Sequence, residues 1–198
     1  MVKPRAAVQI LRASERVAIP WKNGGGLTRE IAVHPAGSTF DEFDWRLSIA
    51  EVHAGGPFSS FPGIERQMAV LSGRLALSIA GGELFTLAPE SPPLRFAGEL
   101  PVLAGQPDEP VTDLNLMVRR ARCTGQLSRH TAGAADALTP LAHTTVLVAH
   151  GPLVLAAAAG EWQLGALDAA LIARSTPCEL STAGAVGAAY YLAEIEFA

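Results

Sequence analysis

The sequence predicts an all-β protein built as two barrel-like halves, with few short helices. Three observations carry that expectation. Nineteen glycines and fourteen prolines are spread along 198 residues and cut the chain into short apolar runs. Several runs alternate polar and apolar residues, the two-residue period of a strand with unlike faces. The rhythm continues, more weakly, beyond an Ala-, Gly-, Ser- and Thr-rich join at residues 125–141. Short strands in this number close into barrels or sandwiches, because closure removes unpaired edges.

In chain order, residues 46–50 alternate, and residues 67–71 run into the turn pair Ser72-Gly73. Residues 75–80 lead to Gly81-Gly82, residues 84–87 precede a proline-rich stretch at 89–93, and residues 114–118 alternate again. The second half offers strands at 144–149, 153–158, 161–164, 170–173 and 188–197. Ala156 to Ala159 favour helix by propensity. Pro152 before them and Gly160 after them leave the run too short, so it reads as strand. Helix is expected only as a turn or two near residues 14–16 and 131–138. Residues 1–125 are expected to form the N-terminal half and carry the pocket, and residues 126–198 the C-terminal half, the two making one compact unit.

Composition narrows the function classes. Apolar residues make up 49% of the chain, enough for a sizeable core, and the formal net charge is −4. The arginines are scattered except at Arg119, Arg120 and Arg122, a cluster that reads as a solvated strand end. Phosphate binding needs a concentrated basic surface, so no nucleic-acid partner is expected. The most apolar late stretch, 145–159, is broken by His150, Gly151 and Pro152, so no membrane span is expected. Cys123 and Cys178 stand far apart without metal spacing, and the first ten residues carry no export pattern. A cytoplasmic protein with reduced thiols is the expectation, with a homodimer as the candidate assembly.

The first third of the chain concentrates the chemistry. Trp21-Lys22-Asn23-Gly24-Gly25-Gly26-Leu27-Thr28-Arg29-Glu30 is its most unusual stretch. Three successive glycines call for a cause. One is close approach of backbone N–H groups to an anionic ligand; another is a loop or strand bulge. On a strand, Thr28 and Glu30 share one face, as do Arg46 and Ser48. An inward Arg46 needs a carboxylate, from Glu30 or from a ligand. Residues 56–66 form a loop whose Phe58 and Phe61 are suited to cover a pocket, ending at Arg66; Asp113 and Asn115 share a strand face. Lys22, Asn23, Thr28, Glu30, Arg46, Ser48, Arg66, Asp113 and Asn115 are the candidate ligand-binding residues. Both charge signs with amides and hydroxyls suit a small polar carboxylate, since arginine matches two carboxylate oxygens in a fork.

The histidines His34, His53, His130, His143 and His150 lack local metal spacing, so neither metal nor cofactor is expected. A GxSxG elbow and a nucleotide-binding glycine loop are both missing from the sequence. No catalytic residue is assigned.

The motifs at 21–30, 45–50, 56–63 and 113–117, with Leu71 and Gly73, resemble in order those of the HutD/Ves family. The likeness spans most of residues 8–120. It implies a double-cupin fold and an accessory role in histidine utilisation, with binding of an intermediate such as N-formylglutamate. A non-catalytic binding protein is therefore the leading expectation. A metal-independent enzyme acting on a small acid, with Glu30 or Asp113 as base, is the alternative. A scaffold contacting a protein through Phe58 and Phe61 is the third reading.

Overall fold

A computed structural model describes residues 7–182 and 187–198. The start of the N-terminal stretch searched above for an export pattern, residues 1–6, lies outside the described residues. In chain order the strands are β1 (Val8–Leu11), β2 (Ala18–Pro20), β3 (Gly26–His34), β4 (Trp45–Val52), β5 (Gly56–Pro57), β6 (Ile64–Ser72), β7 (Leu75–Ile79), β8 (Glu83–Leu87), β9 (Leu94–Ala97), β10 (Val102–Ala104) and β11 (Val111–Arg119). They continue as β12 (Cys123–Thr131), β13 (Asp136–Leu138), β14 (Thr144–Ala149), β15 (Leu153–Ala157), β16 (Gly160–Leu164), β17 (Ala169–Ala173), β18 (Cys178–Thr182) and β19 (Ala189–Phe197). The helical content among the described residues is one 3-10 turn, Ala13–Glu15. No described helix is long and apolar enough to cross a membrane.

The chain divides into two compact units, Arg16–Gly125 and Gln126–Phe197, the latter joined by the residues up to Glu15. That grouping follows from pairing, because β1 lies antiparallel to β17, with Val8 opposite Ile172. The 16–125 unit stacks a six-stranded sheet, β2-β3-β4-β11-β6-β9, with a four-stranded one, β5-β10-β7-β8. The other has a five-stranded sheet, β1-β17-β14-β19-β12, and a four-stranded one, β13-β18-β15-β16. Two such two-sheet units in tandem are the double cupin.

The repeat is plain in the hairpins. In β7–β8 the inward residues are Leu75, Leu77 and Leu87; in β15–β16 they are Leu153, Leu155 and Leu164. The alanine run is strand through Ala157, paired to β16 and β18, because ladder bonds on both sides outweigh helix propensity. Residues 131–138 are not helical. There the Asp136 carboxylate accepts the Gly133 N–H at 2.6 Å, closing a turn that delivers β13 to β18.

The two interiors differ in kind. The 126–197 unit packs Leu147, Leu153, Leu155, Leu180 and Leu192 with Val8 of β1 and Ile172 of β17. The 16–125 unit has an apolar end, built on Val52, Val70, Leu75, Leu77 and Val111. Its other end is polar, as the strands that start there show.

Candidate functional site

The middle strands of the central sheet, β4, β11 and β6, turn from apolar to polar along one face. Directly opposed residues of antiparallel strands share a face. Val52 pairs with Val111; toward the other end Ala50 pairs with Asp113, Ser48 with Asn115 and Arg46 with Met117. On the far side of β11, Met117 also opposes Arg66, and Asn115 opposes Met68. Thr28 and Glu30 of β3 join the same face opposite Ala50 and Ser48, after which a bulge shifts the register. Trp45, Leu47 and Ile49 occupy the reverse face and are buried as well.

These residues line a cavity of about 490 Å³ within the 16–125 unit. Eight of the nine residues singled out in the sequence face it: Lys22, Asn23, Thr28, Arg46, Ser48, Arg66, Asp113 and Asn115. Glu30 stands behind them and accepts a hydrogen bond from Arg46 Nε at 2.8 Å. The Arg46 guanidinium also lies 4.4 Å from the Phe40 ring centre. Phe40 is half exposed, stacks on Phe61 at 5.7 Å, and lines the same cavity with Ile19 and Trp21. The sequence reading missed Phe40; an aromatic set in the polar Ser38–Asp44 stretch just before Trp45-Arg46 was the available signal.

Arg66 is the most constrained cation. It is 7% exposed and sits among three rings, Phe58 at 5.0 Å, Phe96 at 5.2 Å and Phe61 at 5.8 Å. Phe58 and Phe61 are thereby half-buried packing partners, less available for the protein-contact role in the scaffold reading. Arg66 Nη2 donates to Asn115 Oδ1 at 3.0 Å, and Asn115 Nδ2 donates to Asp113 Oδ1 at 2.8 Å. Arg66 Nε is buried without a hydrogen-bond partner. Burial lowers the guanidinium to about 10, with the Asp113 charge opposing. Burial raises the Asp113 carboxyl to about 6, against the Asn115 hydrogen bond and the Arg66 charge. A buried donor with nothing to donate to is uncommon in native interiors, and it adds to the cost of burying this guanidinium.

The glycine stretch serves the wall of this cavity differently from an anion nest. Gly24 N–H donates to the Trp21 carbonyl and Gly25 N–H to Asn23 Oδ1, both at 3.0 Å, so these groups are already used. Gly24 adopts φ +71°, open to glycine at no steric cost. Gly26 has another cause: a Cβ there would lie 2.2 Å from the Glu51 carbonyl oxygen and 3.1 Å from the Trp21 ring. The turn holds Trp21 so that its Nε1 donates to Thr28 Oγ1 at 2.8 Å.

The Arg119, Arg120 and Arg122 cluster and Cys123 have structural partners. Arg119 donates to the carbonyls of Phe43 and Asp41, Arg120 to that of Ile64, and Arg122 pairs with Asp44 at 2.8 Å. Arg119 and Arg122 thereby pin the 41–44 segment, while Arg120 and Arg122 stay partly solvated at the strand end. Cys123 Sγ lies 3.1 Å from the Asp44 carbonyl, and burial raises its thiol. Among the described residues, no three His, Cys, Asp or Glu side chains are grouped to hold a metal ion.

The HutD family model matches residues 13–189. Protein Ves of Cronobacter sakazakii is 38% identical over 108 residues, 54% of this chain and 58% of that protein. An uncharacterised 21.2 kDa protein in the hutC 3′ region of Pseudomonas putida is 37% identical over 121 residues, 61% of this chain and 63% of that one. The chain thus spans about three fifths of the length of these curated relatives. Among solved structures, HutD from Pseudomonas fluorescens SBW25 superimposes with a TM-score of 0.82 at 28% identity, covering 97% of this chain and 100% of that one. A single-site mutant of Bacillus subtilis oxalate decarboxylase shares the fold alone, with a TM-score of 0.67 at 9% identity, covering 98% of this chain and 79% of that one.

Proposed function

This chain belongs to the HutD family, and on that premise we propose that it is a non-catalytic cytoplasmic binding protein that takes a small carboxylate metabolite into the polar end of the 16–125 barrel. The reading extends to N-formylglutamate as ligand and to modulation of histidine utilisation as the role, in line with the hutC-region relative. The observation that carries it is Arg66: a buried guanidinium, ringed by aromatics, that lines the cavity and has one hydrogen bond, to the neutral Asn115 amide. A carboxylate supplies a charged acceptor, and charge-assisted bonds are roughly twice as strong as neutral ones. Arg46 contributes a second cation already balanced by Glu30. Lys22, exposed at the rim, adds a mobile positive charge that favours entry of an anion.

Thermal-shift titration with N-formylglutamate, urocanate, glutamate and formate tests the reading. A dose-dependent rise with at least one supports it, and a flat response to all removes it. A metal-independent enzyme is the second reading, favoured by one observation, the Asp113 carboxyl at about 6, where proton transfer near neutral pH is efficient. NMR of each metabolite incubated with the protein separates the two: turnover abolished by Asp113→Asn supports an enzyme.

A further inference from the structure

Arg66 and Asp113 are both buried at the cavity, yet they are not in direct contact. The Asn115 amide stands between them, accepting from Arg66 and donating to Asp113. Asp113 therefore receives a hydrogen bond from a neutral group, and the guanidinium retains a free donor at Nε. The residues opposite Asp113, Ala50 of β4 and Val70 of β6, do not ionise. The charged groups facing the same space are Arg66 from β6, Arg46 from β4 backed by Glu30 from β3, and Lys22 from the turn before β3. Asn115 and Met117, on Asp113's own strand, carry no charge.

We propose that the pocket takes up its anionic ligand together with a proton, and that Asp113 is the group that receives it. The inference rests on the reading of the cavity as a carboxylate site. A carboxylate seated against the Arg66 guanidinium, which lines the cavity, adds a second negative charge to the cation that Asp113 already faces. Like charges sharing one buried site do not both stay ionised. The ligand gains charge-assisted bonds to the guanidinium, whereas Asp113 holds only an amide bond, so Asp113 takes the proton, supplied by solvent. Burial already brings that carboxyl to about 6, and a further rise of about one unit reaches neutrality. Protonated at Oδ2, it still accepts from Asn115 at Oδ1.

The sign follows from the order of the two values. The ligand-bound carboxyl holds its proton more tightly than the free one, so affinity strengthens as pH falls through the bound value and levels off below about 6. A rise of about one unit corresponds to about tenfold in affinity.

The test is calorimetric titration with N-formylglutamate at pH 7 in buffers of different ionisation enthalpy, repeated from pH 6 to pH 8. Expected are net proton uptake in the wild type and roughly fivefold tighter binding at pH 6 than at pH 8, the part of the tenfold limit that falls in this window. Asp113→Asn, which imitates the protonated carboxyl, is expected to bind without proton uptake, with a pH-independent constant and more tightly than wild type at pH 8. Binding by the wild type with no proton exchange, or uptake that persists in Asp113→Asn, overturns the linkage and leaves the binding reading standing. No binding at any pH overturns both. A measurement that needs no folded variant is the carboxyl carbon shift of Asp113 in the wild type. Its titration midpoint is expected to rise by about one unit on saturation, and an unmoved midpoint overturns the proposal.

Discussion

Replacing Asp113 by Asn is expected to make the empty protein more stable at neutral pH. Asp113 is 1% exposed, and its carboxyl rises from 3.8 to about 6 on folding, chiefly through burial. That value already includes the attraction of Arg66 and the Asn115 bond. A folded-state value raised above the unfolded one means that ionised Asp113 opposes folding: nothing below about pH 4, progressively more up to about pH 6, and a constant amount above. The difference corresponds to about 3 kcal/mol at pH 7. Asn cannot ionise and keeps an acceptor for Asn115 Nδ2. For a chain of this length, about 3 kcal/mol shifts the thermal midpoint by roughly 6–12 °C. Thermal unfolding at pH 7 and pH 4 is the assay. The variant should melt well above wild type at pH 7 and close to it at pH 4. A variant less stable than wild type at pH 7, or a gain equal at both pH values, refutes the reasoning.

Gly26→Ala drives a methyl into the Glu51 carbonyl and the Trp21 ring; a loss of about 1–3 kcal/mol is expected in urea unfolding, as for overpacked interiors. Asp168→Ala removes an ion pair to Arg12 at 2.7 Å and acceptors for the Ala13 and Gly165 N–H groups, and is expected to cost about 1–3 kcal/mol by the same assay. Although desolvation raises it, the Asp168 carboxyl is net lowered by those hydrogen bonds. Its contribution is therefore present above the ordinary carboxylate range and lost as pH falls through its lowered value. Cys123 and Cys178 are buried with thiols raised by desolvation; neither should react with a thiol-specific disulfide reagent at pH 7 until the protein is unfolded.

The strands that build the site were legible because they alternate. Arg46 and Ser48 against Leu47 and Ile49, and Asp113 and Asn115 against Leu114 and Leu116, assign faces by the two-residue period alone. Pairing was not legible. Nothing in Val8–Leu11 indicates a partner more than 150 residues away, and β5, β9, β10 and β13 are only two to four residues long. The glycine stretch was recognisable as needing a cause, but the cause differs. Whether an N–H meets a ligand or a side-chain oxygen two residues back depends on the fold of the turn, and here Asn23 takes it. The helical reading of 131–138 failed for a similar reason, because Asp136 closes a turn that alanine content does not announce. Glu30 was foreseen as the partner of Arg46; that Arg66 keeps an unpartnered donor beside Asp113 needed coordinates.

The role of Arg66 is the point on which the binding account turns, and Arg66→Met tests it most directly. Methionine fits the cage of Phe58, Phe61 and Phe96, and at pH 6 the Asp113 carboxyl, left without its cation, takes a proton; a cooperative melting curve of the variant checks that it is folded. Calorimetric titration of wild type and Arg66→Met with N-formylglutamate at pH 6 is the measurement. The account predicts saturable binding by the wild type and a loss of about a hundredfold or more in the variant, the effect of removing one partner of a buried charged pair. Equal affinity in both proteins contradicts it.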